Sequence, residues 1–354
     1  MSRRAAVAAA PYLHEGVRAP AFSWIAAACL LPAAGWGVVC YGMPAAVVLG
    51  AALGASLAVE LATAAFRRRF TLDDGSAFLT GLLVGLSMPP GTPWHVPAAA
   101  AGFAIAVVKQ GFGGLGRNWM NPALAGRAFA ALSWPQAMTA WRPTRFLAAD
   151  AVSSATPLAA ASAAEAPVRG SFAALAAASS PFSRADDAAI SWLNAHLLSP
   201  LGLSAPRGLL DLVAGMRAGC IGEASVLLLA AGAAILLWQR IIRWEIPAAL
   251  FGTFLLLTGV LGGIPAGNGL FRGAPLFHLL SGGIVLAGFF MATDPVTSPM
   301  TRWGRVAFGS LVGALTFLLR SFGSTAEGVG LAVLLGNCLA PLADRWARPR
   351  RTTT

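Results

Sequence analysis

Apolar segments long enough to cross a lipid bilayer constrain this chain more than any other feature. A bilayer core requires roughly 20 residues of apolar helix, and fewer where protein surrounds the helix. The sequence contains about ten such segments, separated by polar joints. With 57% apolar and only 11% charged residues, the chain is far from the roughly one-quarter charged average of soluble proteins. We therefore predict an all-α polytopic membrane protein.

The apolar segments form two groups of five on either side of a long polar connection. The first group comprises residues 22–41, 44–66, 77–88, 96–112 and 122–138, and the second comprises residues 223–239, 246–263, 276–292, 304–319 and 326–346. The third and fifth segments are short or interrupted by glycine and proline, which favours broken or tilted helices. Five spans on each side would make the second group enter the membrane from the opposite face, as in an inverted repeat. A loose similarity between residues 79–89 and 280–291 agrees with such a repeat.

The predicted units are therefore an N-terminal five-helix repeat at 1–138, a connection at 139–222 and a C-terminal five-helix repeat at 223–354.

The distribution of basic residues predicts how these units are oriented in the membrane. If the amino terminus is cytoplasmic, 16 lysine and arginine residues lie in short inside segments, whereas only Arg272 and Arg320 lie in short outside loops. The positive-inside rule then places both termini in the cytoplasm and the connection outside it. We expect a multi-pass protein of the cell inner membrane.

The net charge of +11 does not indicate a nucleic-acid partner. The arginines form short clusters between apolar segments, and no basic stripe runs along one element. The partner that the composition implies is the lipid bilayer. The four cysteines and four histidines show no spacing typical of a zinc, iron–sulfur or haem site. We therefore predict no metal ligand in this chain.

Four carboxylates are candidates for an ion pathway. Glu60 lies well inside the second segment, where a charge costs several kcal/mol unless it is paired or lines a cavity. Asp73 and Asp74 precede the third segment, and Asp294 follows a glycine-rich span among several hydroxyl side chains. Each has a structural alternative: pairing with a nearby arginine for Glu60, helix capping for Asp73 and Asp74, and an Asp-Pro turn for Asp294.

A glycine-rich run at residues 111–116 leads to a helix start at Asn121 and Pro122. Proline suits the first turn of a helix, and asparagine can cap it. Such a start at membrane depth exposes unpaired backbone N–H groups, so it either lines a polar cavity or holds a ligand. A capped and tightly packed helix start is the alternative interpretation.

The segment at 150–158 reads Asp-Ala-Val-Ser-Ser-Ala-Thr-Pro-Leu and lies in the long polar connection. By composition alone it is typical of an ordinary loop. Its small residues and the hydroxyl of Thr156 are also what a covalent tether requires, because an attaching enzyme must reach an exposed hydroxyl.

Five blocks in the same order resemble the D subunits of Rnf electron transport complexes and, more distantly, the B subunits of sodium-pumping NADH:quinone reductases. They are residues 71–90, 113–141, 150–158, 291–309 and 318–344. Family members join a flavin mononucleotide (FMN) through its phosphate to the threonine of an Asp-Gly-x-Ser-Gly-Ala-Thr motif. The resemblance implies that Thr156 is the acceptor and that Asp150, Ser153, Ser154 and Ala155 form the surrounding cofactor-binding segment. Ala151 and Ser154 replace the two glycines of that motif.

The resemblance further implies a second, non-covalent flavin such as riboflavin beside Asn118 and Asn121. The chain would then serve an Rnf complex that exchanges electrons between ferredoxin and NAD and couples this to Na⁺ or H⁺ movement. Subunits of the A, B, C, E and G types would be its partners, and the chain would have no independent turnover or catalytic residue. A secondary transporter, which can also have inverted repeats and broken helices, and an unmodified scaffold subunit are the alternatives.

Overall fold

The computed structural model describes residues 19–68, 71–146, 183–198, 209–215, 218–265, 267, 269–271, 273–323 and 328–347. Regular secondary structure in these ranges is entirely helical. Among them, three helices are long and apolar enough to cross a membrane: Ala21–Tyr41, Met43–Arg67 and Arg302–Phe322. Shorter apolar helices cover Ser76–Leu86, Val226–Trp238 and Glu245–Leu261. The segment at 150–158, including Thr156, lies outside the described residues.

Ten apolar segments of the sequence become helical in the structure, and their outer ends differ from the predicted ends by three residues or fewer. The first group forms α1 (Ala19–Tyr41), α2 (Met43–Arg67), α3 (Ser76–Leu86), α4 (His95–Phe103), α5 (Pro122–Ser133) and α6 (Pro135–Met138). A π-helical stretch, Ala104–Gln110, continues α4. The connection contributes α7 (Ser183–Leu193) and α8 (Leu209–Ala214). The second group forms α9 (Val226–Trp238), α10 (Glu245–Leu261), α11 (Pro275–Leu280), α12 (Ile284–Leu286, continued as the π-helix Ala287–Met291), α13 (Arg302–Phe322) and α14 (Val329–Ala347).

The long helices expose apolar side chains on the surface of the bundle. Leu31 and Val39 of α1 are about half exposed, and Phe66 at the end of α2 is 90% exposed. The opposite face of α1 packs into the core through Leu30 and Cys40. A helix that is apolar on all sides needs an apolar environment on its outer face. The exposed surface is therefore suited to lipid, in agreement with a multi-pass membrane protein.

Within the described residues, two of the apolar segments are broken, and only one of these breaks lies where the sequence predicted it. The fifth segment breaks between α5 and α6 at Pro135, which cannot donate a backbone hydrogen bond. The third segment, α3, is short but continuous. The second break lies instead in the eighth segment, between α11 and α12, where Gly282 has a φ of 76°. A left-handed residue interrupts the helix there and leaves backbone carbonyls without helical partners.

Arg320 satisfies those carbonyls, and its sequence-based placement in an outside loop is wrong. It lies in α13, is only 8% exposed, and donates to the backbone oxygens of His278 at 2.6 Å and Ser281 at 3.2 Å. Non-helical backbone at membrane depth is tolerated only where protein groups compensate it. The sequence suggested a loop because the charge follows an apolar run, whereas its partners lie about 40 residues earlier.

Glycines allow the closest helix contacts. Gly309 and Gly313 of α13 face the backbone oxygens of Ile246 and Leu250 in α10, and a Cβ at either glycine would overlap its neighbour. Spacing of small residues by four is a common way for membrane helices to approach one another. The α10–α13 pair is thus held at a distance that only glycine permits.

Candidate functional site

A cavity of about 240 Å³, here called the inner cavity, lies where the two helix groups meet. The starts of α1, α3 and α5 surround it, together with the turn after the π-helix at 287–291. Its apolar lining includes Phe22, Leu79, Leu83 and Phe290, and its polar lining includes Thr80, Lys109, Asn118, Asn121 and Asp294. Apolar walls with a few polar groups are typical of a site for a small organic ligand or cofactor.

Asn121 joins the two helix groups, and both ends of its amide are engaged. Its Oδ1 accepts hydrogen bonds from the backbone nitrogens of Ala123 at 3.0 Å and Leu124 at 3.3 Å. Its Nδ2 donates to the backbone oxygen of Met291 at 3.1 Å. The residue therefore caps α5 and also lines the cavity, so the two interpretations of this helix start are compatible.

Asn118 differs from Asn121 in the use of its amide oxygen. The side chain is 6% exposed, and its Nδ2 donates to the backbone oxygen of Met120 at 3.2 Å. No hydrogen bond from another described residue reaches its Oδ1. Gly113 and Gly116, with φ angles of 111° and 86°, shape the preceding loop. Asn118 is thus the amide of the pair that can accept a hydrogen bond from a ligand.

Asp294 lies in a turn and also lines the inner cavity. Its Oδ1 accepts from the backbone nitrogen of Val296, and its Oδ2 accepts from the hydroxyl of Thr297, both at 3.2 Å. Burial raises the pKa of the Asp294 carboxyl to about 6, although both hydrogen bonds favour the charged form. Asp294 therefore stabilises a turn, as one interpretation of the sequence predicted, and also lines the inner cavity.

A second cavity, of about 470 Å³ and here called the vestibule, lies on the other side of Lys109. Its lining is more polar and includes Glu60, Thr63, Arg67, Thr71, Asp74, Lys109, Gln110, Gly113 and Gly114. Lys109 and Leu115 line both cavities. The two spaces are therefore neighbours that share a wall.

The vestibule contains a buried ion pair. Glu60 is fully buried, and its Oε1 accepts from the Nζ of Lys109 at 2.9 Å and from the hydroxyl of Thr71 at 2.5 Å. Its Oε2 accepts from the Nε2 of Gln110 at 3.0 Å. The sequence suggested one of the arginines at 67–69 as its partner, but Arg67 instead donates to the side-chain and backbone oxygens of Gln110. Charge and hydrogen-bonding capacity of the Glu60 carboxylate are both satisfied, as a buried carboxylate requires.

The two aspartates before α3 have different positions. Asp74 lines the vestibule, lies 3.8 Å from the ammonium of Lys109, and accepts hydrogen bonds from the backbone nitrogen and hydroxyl of Ser76. Asp73 is exposed, lines neither cavity, and its backbone oxygen accepts from the indole of Trp24 at 3.1 Å. Of the four candidate carboxylates, Glu60 and Asp74 meet in the vestibule, whereas Asp294 lies at the inner cavity.

Sequence reasoning missed Lys109 and Gln110. Lys109 was counted only as one more positive charge of a short inside segment. A signal was present, because it is the only lysine among 25 basic residues. It is 2% exposed at the end of the π-helix Ala104–Gln110, and π-helical turns are frequent at functional sites.

Comparison with known proteins gives the family. The model described as the NQR2, RnfD, RnfE family matches residues 6–353. The D subunit of a proton-translocating ferredoxin:NAD(+) oxidoreductase complex of Clostridium ljungdahlii is 36% identical over 348 residues, covering 97% of this chain and 94% of the relative. The D subunit of a Na(+)-translocating ferredoxin:NAD(+) oxidoreductase complex of Acetobacterium woodii is 33% identical over 325 residues, covering 91% and 86%.

The D subunit of an ion-translocating oxidoreductase complex of Stutzerimonas stutzeri is 36% identical over 331 residues, covering 91% of this chain and 88% of the relative. These similarities span both helix groups and the connection between them. They confirm the resemblance that the five sequence blocks carry. The chain belongs to the NQR2, RnfD, RnfE family.

Proposed function

We propose that this chain is the D-type membrane subunit of an Rnf ferredoxin:NAD oxidoreductase complex and carries electrons through an FMN attached to Thr156. Electron transfer is coupled to translocation of Na⁺ or H⁺. The proposal is supported by family membership over nearly the whole chain and by the four residues that keep the attachment motif, Asp150, Ser153, Ala155 and Thr156. The names of relatives from two organisms, one proton-translocating and one Na⁺-translocating, agree with it.

In this proposal, the chemical contribution of the segment at 150–156 is the hydroxyl group of Thr156. Thr156 forms the phosphoester, and Asp150, Ser153, Ser154 and Ala155 present it to the attaching enzyme on the extracytoplasmic side. A flavin exchanges one or two electrons and therefore joins one-electron carriers without a metal in this subunit. The other subunits, of the A, B, C, E and G types, supply the remaining carriers, so the chain turns over only within the complex. Both termini lie on the cytoplasmic side of the inner membrane.

The residues of the inner cavity fit a second, non-covalent flavin. Phe22, Leu83 and Phe290 provide apolar walls for a flat ring system. The Oδ1 of Asn118 can accept a hydrogen bond from a ring N–H, and the ammonium of Lys109 can donate one to a ring oxygen. With these groups the chain would bind and orient the ring and keep water from its edges.

The two helix groups form an inverted repeat in this proposal. Helix α1, the first of its group, packs against α9, the first of the second group. Helix α5 likewise packs against α14, and these helices contain the fifth segments of the two groups. Contacts between corresponding helices are expected when a two-fold relationship connects two halves.

Peptide mapping and intact mass of the chain purified from its native membrane test the covalent flavin. The expected result is a gain of one FMN minus water on the peptide that contains Thr156. Thr156→Ala removes this gain, whereas Ser171→Ala, in the same connection, leaves it in place. An unmodified Thr156 peptide from membranes that contain the attaching enzyme would favour the transporter or the scaffold.

A further inference from the structure

The ammonium of Lys109 lies in the wall between the two cavities. Its Nζ is 2.6 Å from the hydroxyl of Ser76, which lines the inner cavity, and 2.9 Å from Oε1 of Glu60, which lines the vestibule. The Oδ2 of Asp74, also in the vestibule, is 3.8 Å away. The positive charge of this side chain therefore has acceptors on both sides of the wall.

The oxygens around the ammonium form a set that a free monovalent cation could also use. They come from the carboxylates of Glu60 and Asp74 and from the hydroxyl of Ser76. Without Lys109, the fully buried carboxylate of Glu60 would keep only the neutral donors Thr71 and Gln110. An uncompensated buried charge is strongly unfavourable, so a Na⁺ or a proton from the vestibule would then be bound.

The backbone around Lys109 suits a side chain that changes partners. Lys109 lies in a π-helical stretch, and its own backbone oxygen accepts from the nitrogen of Gly114 at 3.0 Å. Gly113 and Gly114 both have positive φ angles, which glycine adopts without strain. Lysine carries its charge on a flexible four-carbon stem. Because Lys109 lines both cavities, a rotation of this stem would move the ammonium toward one or the other.

We propose that Lys109 is a tethered cation that exchanges with a monovalent cation at Glu60. This rests on the proposed function, because electron transfer supplies the charge that moves it. Each electron that a one-electron iron–sulfur carrier of the complex passes to a flavin bound in the inner cavity would add one negative charge there, and the ammonium turns toward that charge. One Na⁺ or H⁺ then enters from the vestibule and compensates Glu60. When the electron leaves, the ammonium returns and the cation is released.

Thermal unfolding of the full chain in detergent tests the exchange without requiring a flavin. Lys109→Met is compared with wild type in sodium chloride and in choline chloride of equal ionic strength, and on both sides of neutral pH. We expect Lys109→Met to unfold at a lower temperature and to be stabilised by Na⁺ or by acid far more than wild type. The sodium series identifies Na⁺ as the ion, and the pH series identifies the proton.

Two further variants keep this test decisive. The double variant Glu60→Gln with Lys109→Met removes both charges, so it should not respond to sodium and should respond to acid no more than wild type does. Thr139→Val, at an exposed position that lines neither cavity, should behave as wild type. The proposal is overturned if Lys109→Met responds to neither cation. It is equally overturned if this variant stays unfolded at high sodium and at acid pH while the double variant folds.

Potentiometry of the purified complex then connects the exchange to electron transfer. In wild type, the midpoint potential of the proposed non-covalent flavin should rise with the sodium concentration if Na⁺ is the exchanging cation, and Glu60→Gln should abolish this dependence. If the proton is the exchanging cation, Glu60→Gln should reduce the pH dependence of the potential to that of the flavin's own protonation. A wild-type potential that is independent of Na⁺ and has the same pH dependence as that of Glu60→Gln contradicts the coupling. Absence of an extractable flavin from the chain would contradict the proposed second flavin instead, and the unfolding result would stand by itself.

Discussion

Lys109 and Glu60 form an ion pair of 2.9 Å across 49 residues of sequence, and both side chains are almost completely buried. The pair joins α2 to the π-helical end of α4. It also forms part of the boundary between the vestibule and the inner cavity. The same ion pair thus connects two helices and lies at the boundary between the two cavities.

Removing one partner of this pair should be far more damaging than removing both. Glu60→Leu leaves a buried ammonium and should lower the free energy of unfolding by about 3–5 kcal/mol, whereas Glu60→Leu with Lys109→Met should restore much of it. Chemical denaturation in detergent gives the coupling energy through a double-mutant cycle. Additive single-variant effects would show that the two side chains do not depend on each other.

Substitution of the two asparagines of the inner cavity should have different effects, with Asn121 mainly affecting stability and Asn118 mainly affecting ligand binding. Asn121→Ala removes the cap of α5 and the bond to Met291, so stability should fall by at least the ~1 kcal/mol typical of a lost cap. Asn118→Ala should leave the unfolding temperature nearly unchanged and reduce the amount of the proposed non-covalent flavin that acid extraction recovers. Equal flavin loss together with equal destabilisation in both variants would refute this division of roles.

The contact between α10 and α13 should tolerate no side chain at Gly313. Gly313→Val forces a clash with the backbone oxygen of Leu250 and should destabilise the chain by about 1–3 kcal/mol. Gly252→Ala is the matched control, because a Cβ at Gly252 meets no atom within 4 Å. Thermal unfolding distinguishes the two, and similar effects would argue against close packing at Gly313.

Asp294 should make stability fall as pH rises. Its pKa is about 6 in the folded chain against an ordinary 3.8. Between these values the folded state binds the additional proton, so folding becomes less favourable with increasing pH until Asp294 is ionised in both states. Asp294→Asn keeps an acceptor for Val296 and should flatten this part of the profile. Unfolding temperatures measured across this range check it, and parallel profiles would contradict it.

The sequence predicts helix positions well because the length of an apolar run is a local property. It predicts the partners of buried charges poorly. Arg320 and Lys109 were both counted with the charges of short segments between the spans, although Lys109 also falls within the apolar segment at 96–112. Their true partners, the oxygens of His278 and Ser281 and the carboxylate of Glu60, lie about 40 to 50 residues away. Only the folded arrangement brings these groups together.

Asn118 and Asn121 illustrate the same limit within one motif. Their spacing indicates a helix start and a possible ligand site, and both residues do line the inner cavity. Spacing alone does not reveal that Asn121 is fully occupied while Asn118 retains an acceptor. That difference depends on Met291 and on the backbone nitrogens at the start of α5.

Asn121 holds the two helix groups together through hydrogen bonds to both of them. A rigid rocking motion of one helix group against the other would pull its amide away from Met291 or away from the start of α5. Either movement breaks a buried hydrogen bond. The Asn121 contacts therefore favour two halves that keep their relative position over a carrier that works by alternating exposure.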